Sequence, residues 1–491
     1  MAKVRERPDR ESLRIGYLRA GAVLMATTAD PVRTDDPRCR GGWYELTTGG
    51  FVCNGRDVIA FSGRRLPAAR GAQPDLEAPL PYRYGRNRRE NAPMYRRLPT
   101  DEDAVQFEGF RIPGLEPEPV AQGEGGPAPS TEPGTEPPSA PALPSEPAPS
   151  PVPPSPVPPA PSPAVGSAVA TGVEAVPSAA GNEGELAEEG DPVVPTLASL
   201  QGDPNSPLMR RMMRGFIVSL DRDFRAGAYR RRYWRTINNG FVPYSAVGFV
   251  DPPSFQGGVV DGEHPLPIGY VLSSKTISYT RGNDGRARRG RAPGYHFRFP
   301  IQGEETLRDT AYWQGPEGLL IERDEATRIA PRDPPEGVGP DEKWIEVNLA
   351  EQYLIAYEGR RPVYATLISS GRVRDPEDPL RNHATPTGLF RVRAKHLAAA
   401  MDGDHAADGP YSIDDVPYVM YFQLAYALHS AFWHDGFGRP RSHGCVNLAP
   451  RDAQWIFRWS DPQLPAGWHG VYPTQAHPGT WIYIHGETPQ R

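Results

Sequence analysis

Arg441-Ser442-His443-Gly444-Cys445-Val446-Asn447-Leu448, preceded by Leu428-His429-Ser430-Ala431-Phe432-Trp433, is the stretch around which the rest of the chain is organised. A cysteine lies in a short glycine-containing turn, with histidines two and sixteen positions before it. A thiol-nucleophile site needs this set: a sulfur to attack, an imidazole to take its proton, and a glycine that lets backbone N–H groups approach a developing oxyanion.

Outward from this stretch the texture is that of strands. Trp344-Ile345-Glu346-Val347-Asn348-Leu349 and Tyr353-Leu354-Ile355-Ala356-Tyr357 read as two of them, and Gly359 marks a turn before the run from Pro362 to Gly371. Thr385-Pro386-Thr387-Gly388 is a rigid turn feeding a strand through Val392, and Tyr418 to His429 is a further apolar, aromatic run. One helix is predicted after Ala449, with Pro450 suited to the first helical position and Ala453, Ile456 and Phe457 at helical spacing. Trp481-Ile482-Tyr483-Ile484 closes the segment as a strand.

Residues from about 343 to 485 resemble the L,D-transpeptidase (YkuD-type) catalytic domain of bacterial envelopes. The resemblance covers the last third of the chain. It rests on Ser370-Gly371 leading to Thr385-Pro386-Thr387-Gly388-Leu389-Phe390, on Leu428 to Trp433, and on Ser442-His443-Gly444-Cys445-Val446-Asn447, in that order. It implies a β-sandwich with one packed helix, and a cysteine nucleophile at Cys445 that forms a thioester with a peptidoglycan tetrapeptide stem, expelling D-Ala. An amine on a second stem would resolve the thioester into a 3-3 cross-link. His429 matches the base, and the Ser430 carbonyl would hold its ring. His443, Gly444 and Cys445 would supply oxyanion N–H groups. Trp433, Asn447, Ser442 and Tyr421 are expected at the substrate. An imidazolium and a nearby helix N-terminus would stabilise the thiolate.

The residues leave alternatives. His434 is a second candidate base. His429, His434, His443 and Cys445 could ligate a metal, although their spacing is unlike the tight pairs of zinc sites; no metal and no cofactor are expected. Cys445 could be an inert buried thiol. The same thioester met by water would make an L,D-carboxypeptidase or a Cys-His wall hydrolase, and a non-catalytic wall-binding scaffold is the non-enzyme alternative. Expected partners are peptidoglycan stem peptides, with a wall-anchored protein as a further acceptor.

Upstream, Trp43-Tyr44 to Phe51-Val52 reads as a hairpin turning at Gly49-Gly50; Tyr233-Trp234 to Phe241-Val242 and Tyr312-Trp313 to Leu319-Leu320 repeat the order. These units resemble small bacterial SH3-like β modules. Between Ile112 and Met209 there is no Lys, Arg or aromatic residue, and the run Pro-Val-Pro-Pro-Ser-Pro predicts a disordered, extended segment. Its ionisable residues are 13 acids, so the rest of the chain carries +7 against the overall −6. A mildly basic remainder suits an anionic polymer such as cell wall; no base-stacking motif or basic helix supports nucleic acid.

The overall expectation is a mainly β chain: an SH3-like module over 1–111, a Pro/Glu-rich linker or insertion over 112–207, further SH3-like modules over 208–340, and the catalytic domain over 341–491. No apolar run approaches the roughly 18 residues of a membrane span. The start is charged and without a signal-like apolar core, so an envelope protein would be a trimmed form. Cys39 and Cys53, 14 apart, read as a disulfide in an exported protein, or as two buried thiols in a reducing one.

Overall fold

The apolar runs at the start of the C-terminal segment become neighbouring strands, Lys343–Asn348, Tyr353–Glu358 and Arg361–Leu367, flanked in the same sheet by Trp481–His485 and Gly388–Arg391. Lys343–Asn348 runs parallel to Trp481–His485 and antiparallel to Tyr353–Glu358. The computed structural model describes residues 1–61, 72–112, 195–262, 264–378, 381–404 and 409–490. Alternation along these strands sends Ile345, Val347, Leu354 and Ala356 to one core, and Trp344, Ile355 and Tyr357 to another. Both faces are covered, which is why these strands read as nearly unbroken apolar runs.

The second sheet of the sandwich is made by Ala394–Gly403, Tyr411–Gln423 and Tyr426–Ser430 in antiparallel sequence, with Val446–Leu448 parallel to the last of them. Its inner face meets the first sheet over Leu397, Met420, Leu428, Val446 and Leu448. The helix Pro450–Trp459 seals this core with Ala453, Ile456 and Phe457. Each such large apolar side chain withdrawn from water contributes about 1.5–3 kcal/mol. The helix begins at Pro450, as its sequence predicts, and ends against a buried lysine. Lys395 Nζ donates to the carbonyls of Phe457 and Ser460, where a cation complements the helix C-terminus. Burial pulls that ammonium down to about 7.

The upstream residues wrap this sandwich. Phe255, Ile268, Tyr270 and Ile329 pack on the outer face of the first sheet. Arg14–Leu18 pairs with Trp468–Val471 and so extends the second sheet. The three hairpins form where glycine and aromatic order predicts them: Trp43–Glu45 with Phe51–Cys53, Arg231–Thr236 with Phe241–Pro243, and Thr310–Gln314 with Leu320–Glu322. The first turns through Gly49 and Gly50, both at positive φ. Cys39 and Cys53 are joined in a disulfide at the same hairpin, and Cys445 is free.

Strand partners cut across the boundaries drawn from composition. Arg83–Asn87 and Ala92–Tyr95 pair with Ile217–Ala226, Leu208–Met212 and Phe241–Pro243, so strands from both sides of the Pro-rich span share one sheet. Most of that span, 113–194, lies outside the described residues. Its last part differs from the expectation of disorder: Leu197 and Leu200 pack against the core around Met212 and Phe216. A second helix, Asp101–Glu108, was not expected. Thr100 caps it reciprocally with Asp103, each side chain accepting from the other's backbone N–H at 3.2 and 2.7 Å. Among the described residues no helix is long and apolar enough to cross a membrane.

Candidate active site

Register places the reactive groups. Leu428 is paired with Val446 and His429 with Asn447 across parallel strands. Leu428 and Val446 enter the core, so His429, Asn447 and, one step before the strand, Cys445 emerge on the opposite face. Tyr421, paired with Ala427, shares that face, and Tyr421, Trp433 and Cys445 all pack against the buried patch of Val416, Val419 and Ala427. The Trp433 ring lies over His429 with centroids 5.9 Å apart and planes at 27°. Nδ1 of His429 is 3.0 Å from the Ser430 carbonyl. Because a carbonyl only accepts, Nδ1 carries the proton and Nε2 keeps the lone pair that a base needs.

The turn that presents Cys445 is fixed from within and from behind. The Ser442 hydroxyl accepts from Gly444 N–H at 3.0 Å and donates to the Cys445 carbonyl. The Gly444 carbonyl accepts from Thr385 Oγ1 at 2.8 Å, and the same oxygen accepts from Gly371 N–H at 2.8 Å. One buried threonine thus ties together the Ser370-Gly371, Thr385-Gly388 and Ser442-Asn447 stretches. Gly444 sits at φ +116°, and a Cβ there would lie 2.4 Å from Tyr426 Cε1, so both backbone and packing require glycine.

Residues 342–484 match the YkuD family model, the L,D-transpeptidase catalytic domain. YciB of Bacillus subtilis (strain 168), whose name assigns it only provisionally to the L,D-transpeptidases, is 26% identical over 144 residues, 25% of this chain and 66% of its own length. Among solved structures, a cysteine-to-serine mutant of Enterococcus faecium L,D-transpeptidase aligns at 24% identity and TM-score 0.22, covering 29% of this chain and 50% of that one. The catalytic domain of E. faecium L,D-transpeptidase acylated by ertapenem aligns at 24% identity and TM-score 0.23, over 30% of this chain and all of that domain. The chain therefore spans about two thirds of YciB and half of the E. faecium crystal chain.

Within residues 342–484 the resting charges differ from the expected ion pair. Burial pushes the Cys445 thiol up to about 11, against an Ala427 backbone hydrogen bond to the sulfur that pulls it down. Burial pulls His429 down to about 4, opposed by its Ser430 partner. The pair is neutral at pH 7 because desolvation penalises both charged forms. The oxyanion expectation also changes in one member. The Gly444 N–H is spent on Ser442, whereas the Cys445 N–H has no acceptor among the described residues.

His434 separates from His429 by its partners. Its Nδ1 accepts from Gly436 N–H at 3.2 Å, so in the neutral ring Nε2 bears the proton. Nε2 is 3.1 Å from the Asn447 amide, whose Oδ1 otherwise has no partner among the described residues; the amide oriented with Oδ1 toward the imidazole satisfies both groups. Burial pulls His434 down to about 3. With no lone pair to spare, it orients Asn447 rather than taking a proton.

Ser442 and Asn447, expected at the substrate, are buried and bonded inside the protein, so their side chains shape the turn. His443 is exposed on the turn, its ring 4.9 Å from Tyr411 at 14° and 4.7 Å from His383. Sequence reading missed Tyr411 and Thr385. Tyr411 is pushed up to about 12, first by burial and then by the nearby Cys445. The threonine stood inside a quoted motif, but nothing local marks its hydroxyl as the link to a carbonyl 59 positions away. No group of three or more His, Cys, Asp or Glu among the described residues is arranged to hold a metal ion.

Proposed function

We propose that this chain is a cysteine L,D-transpeptidase acting on peptidoglycan tetrapeptide stems. The observation that carries the reading is the shared face of Cys445 and His429, with the His429 Nδ1 proton held by Ser430 and Nε2 left to accept. Cys445 Sγ attacks the carbonyl between diaminopimelate and the terminal D-Ala as its proton passes to His429 Nε2. The Cys445 N–H steadies the oxyanion, a donor worth about 10²–10³ in rate. The C–N bond breaks, His429 returns the proton to the leaving amine, and a thioester remains. An acceptor amine then forms the new C–N bond, the C–S bond breaks, and the amine's proton returns through His429 to the sulfur. Because the resting pair is neutral, proton transfer accompanies attack.

An envelope location follows from the substrate, and a disulfide at Cys39–Cys53 fits an oxidising compartment. The acceptor extends to any amine that reaches the thioester, a wall-anchored protein included. Incubation with purified tetrapeptide muropeptides tests the reading. Cross-linked dimers with release of D-Ala are expected; a shortened monomer alone would assign carboxypeptidase activity, and unchanged substrate would overturn the proposal.

A further inference from the structure

The sheet face that carries Cys445 continues beyond the chemistry. Tyr421 is paired with Ala394, and the next strand sets Val471 opposite Lys395 and Gly470 opposite His396. Tyr472, one step past Val471, therefore shares a row with Ala394, Tyr421, Ala427 and Cys445. The N-terminal strand Arg14–Leu18 comes next, with Tyr17 opposite Gly470. Four strand spacings put Tyr472 about 19 Å from Cys445. Rings stand along this row in a continuous edge-to-face series. Tyr421 meets His396 with centroids 5.6 Å apart at 84°, His396 meets Tyr17 at 5.8 Å and 66°, and Tyr17 meets Tyr472 at 5.6 Å and 69°. All four are half-buried, so each keeps part of its ring open to solvent. Arg14 closes the far end, its guanidinium 5.2 and 5.0 Å from the ring centres of Tyr17 and Tyr472. The Tyr17 and Tyr472 hydroxyls bond to each other. The Tyr421 hydroxyl and the His396 ring nitrogens have no hydrogen-bond partner among the described residues. Burial pulls His396 down to about 4, so at neutral pH its ring offers one donor and one acceptor rather than a charge.

An aromatic belt that starts beside the nucleophile, with neutral polar atoms first and a guanidinium last, matches an extended substrate of amides ending in a sugar ring. We propose that the belt is the subsite for the sugar end of the donor stem. The peptide runs from Cys445 past Tyr421 and His396, and the N-acetylated sugar that bears it packs on Tyr17 and Tyr472, with Arg14 donating to its oxygens. Lengths decide which part of the substrate goes where. The three residues that end in the scissile carbonyl span at most about 11 Å, so the peptide alone stops short of Tyr472. Only a stem that keeps its sugar covers the remaining distance. The inference rests on the acyl-transfer reading for the stem as substrate. It gives Arg14 and Tyr17, which lie outside residues 342–484, a part in substrate choice.

The test is isothermal titration of the full chain carrying Cys445→Ala, which prevents turnover, with two probes: a disaccharide-tetrapeptide muropeptide and the same tetrapeptide without its sugars. The muropeptide should bind more tightly by about tenfold, the worth of two aromatic contacts. Tyr17→Leu keeps an apolar side chain over Gly470 but removes the ring. It should erase most of that preference, by weakening the muropeptide far more than the free tetrapeptide, and Tyr472→Leu should do the same. Tyr17→Phe, which keeps the ring, should retain most of it. Equal affinity for the two probes, no saturable binding of either, or a preference that survives both leucine variants would overturn the inference. So would a Tyr17→Leu chain that loses affinity for both probes alike, since Tyr17 would then only hold its strand in place. Acylation of the wild-type thiol is a separate measurement. A chain that is acylated but shows no sugar preference loses this subsite alone, and one that prefers the muropeptide but is never acylated loses the transpeptidase reading.

Discussion

The turn bearing Cys445 and a cavity lined in part by Trp433 are opposite kinds of construction. In the turn, Ser442, Gly444, Thr385 and Gly371 are all buried or tightly packed, and their polar groups are bonded to one another at 2.8–3.0 Å. In the cavity, Arg88 and Asp251 are exposed, with no hydrogen-bond or ion-pair partner for their side chains among the described residues. The turn has its geometry fixed before substrate arrives, which is what oxyanion stabilisation requires, because donors that must reorganise lose their advantage. The charged side chains of the cavity, Arg86, Arg88, Asp251 and Asp435, are exposed to solvent. Substitutions in the turn should cost stability and rate together, and substitutions among the solvated charges of the cavity far less.

The largest effect should come from the base. His429→Gln is expected to lower acylation of Cys445 by about 10²–10⁴, the usual worth of a positioned general base; stopped-flow acylation measures it, and a loss no greater than that of His434→Gln would reverse the assignment. His434→Gln should cost about fivefold, the ~1 kcal/mol of one hydrogen bond that orients Asn447. Gly444→Ala should follow, since φ +116° is strained for any L side chain and the methyl meets Tyr426. A destabilisation of about 3 kcal/mol, from backbone strain plus overpacking, should appear as a lowered thermal midpoint. Thr385→Val leaves Gly371 N–H and the Gly444 carbonyl without their partner, and should cost about 1–3 kcal/mol together with part of the acylation rate.

The pH dependence is the smallest expected effect and the sharpest on mechanism. With His429 near 4 and Cys445 near 11, both groups stay in their reactive neutral forms throughout the range between, so the acylation rate should be nearly flat from pH 6 to 9. The acid limb would come from protonating His429, and the rate would fall as pH drops toward 4. A tenfold rise per pH unit through that range would instead mean that a rare thiolate reacts, and the neutral-pair account would fail.

The same contrast explains what was legible in the sequence. The Cys445 turn, His429, the helix at Pro450 and the hairpin at Gly49-Gly50 are local: periodicity, a proline at a helix start and glycine at positive φ mark them in a few residues. The Ser430 carbonyl on His429 came from the family resemblance. What the sequence withheld lies between distant residues. Thr385 meets Gly444 across 59 positions and Arg86 meets Trp433 across 347, and no local pattern encodes either. Strands flanking the Pro-rich span pair with each other because composition reports where order ends, not which strand is whose neighbour. The neutrality of Cys445 and His429 is a consequence of burial, which motif spacing does not reveal. The helix Asp101–Glu108 did carry a signal, Thr100 with an acid three positions on, although that acid is Asp rather than Glu.

Intact-protein mass spectrometry after incubation with a carbapenem, a strained acyl donor that a reactive thiol opens, tests the central claim most directly. One covalent equivalent should add to the wild-type chain, map to Cys445 and vanish in Cys445→Ala. An adduct that persists in Cys445→Ala, or none on a folded wild-type chain, would contradict the account.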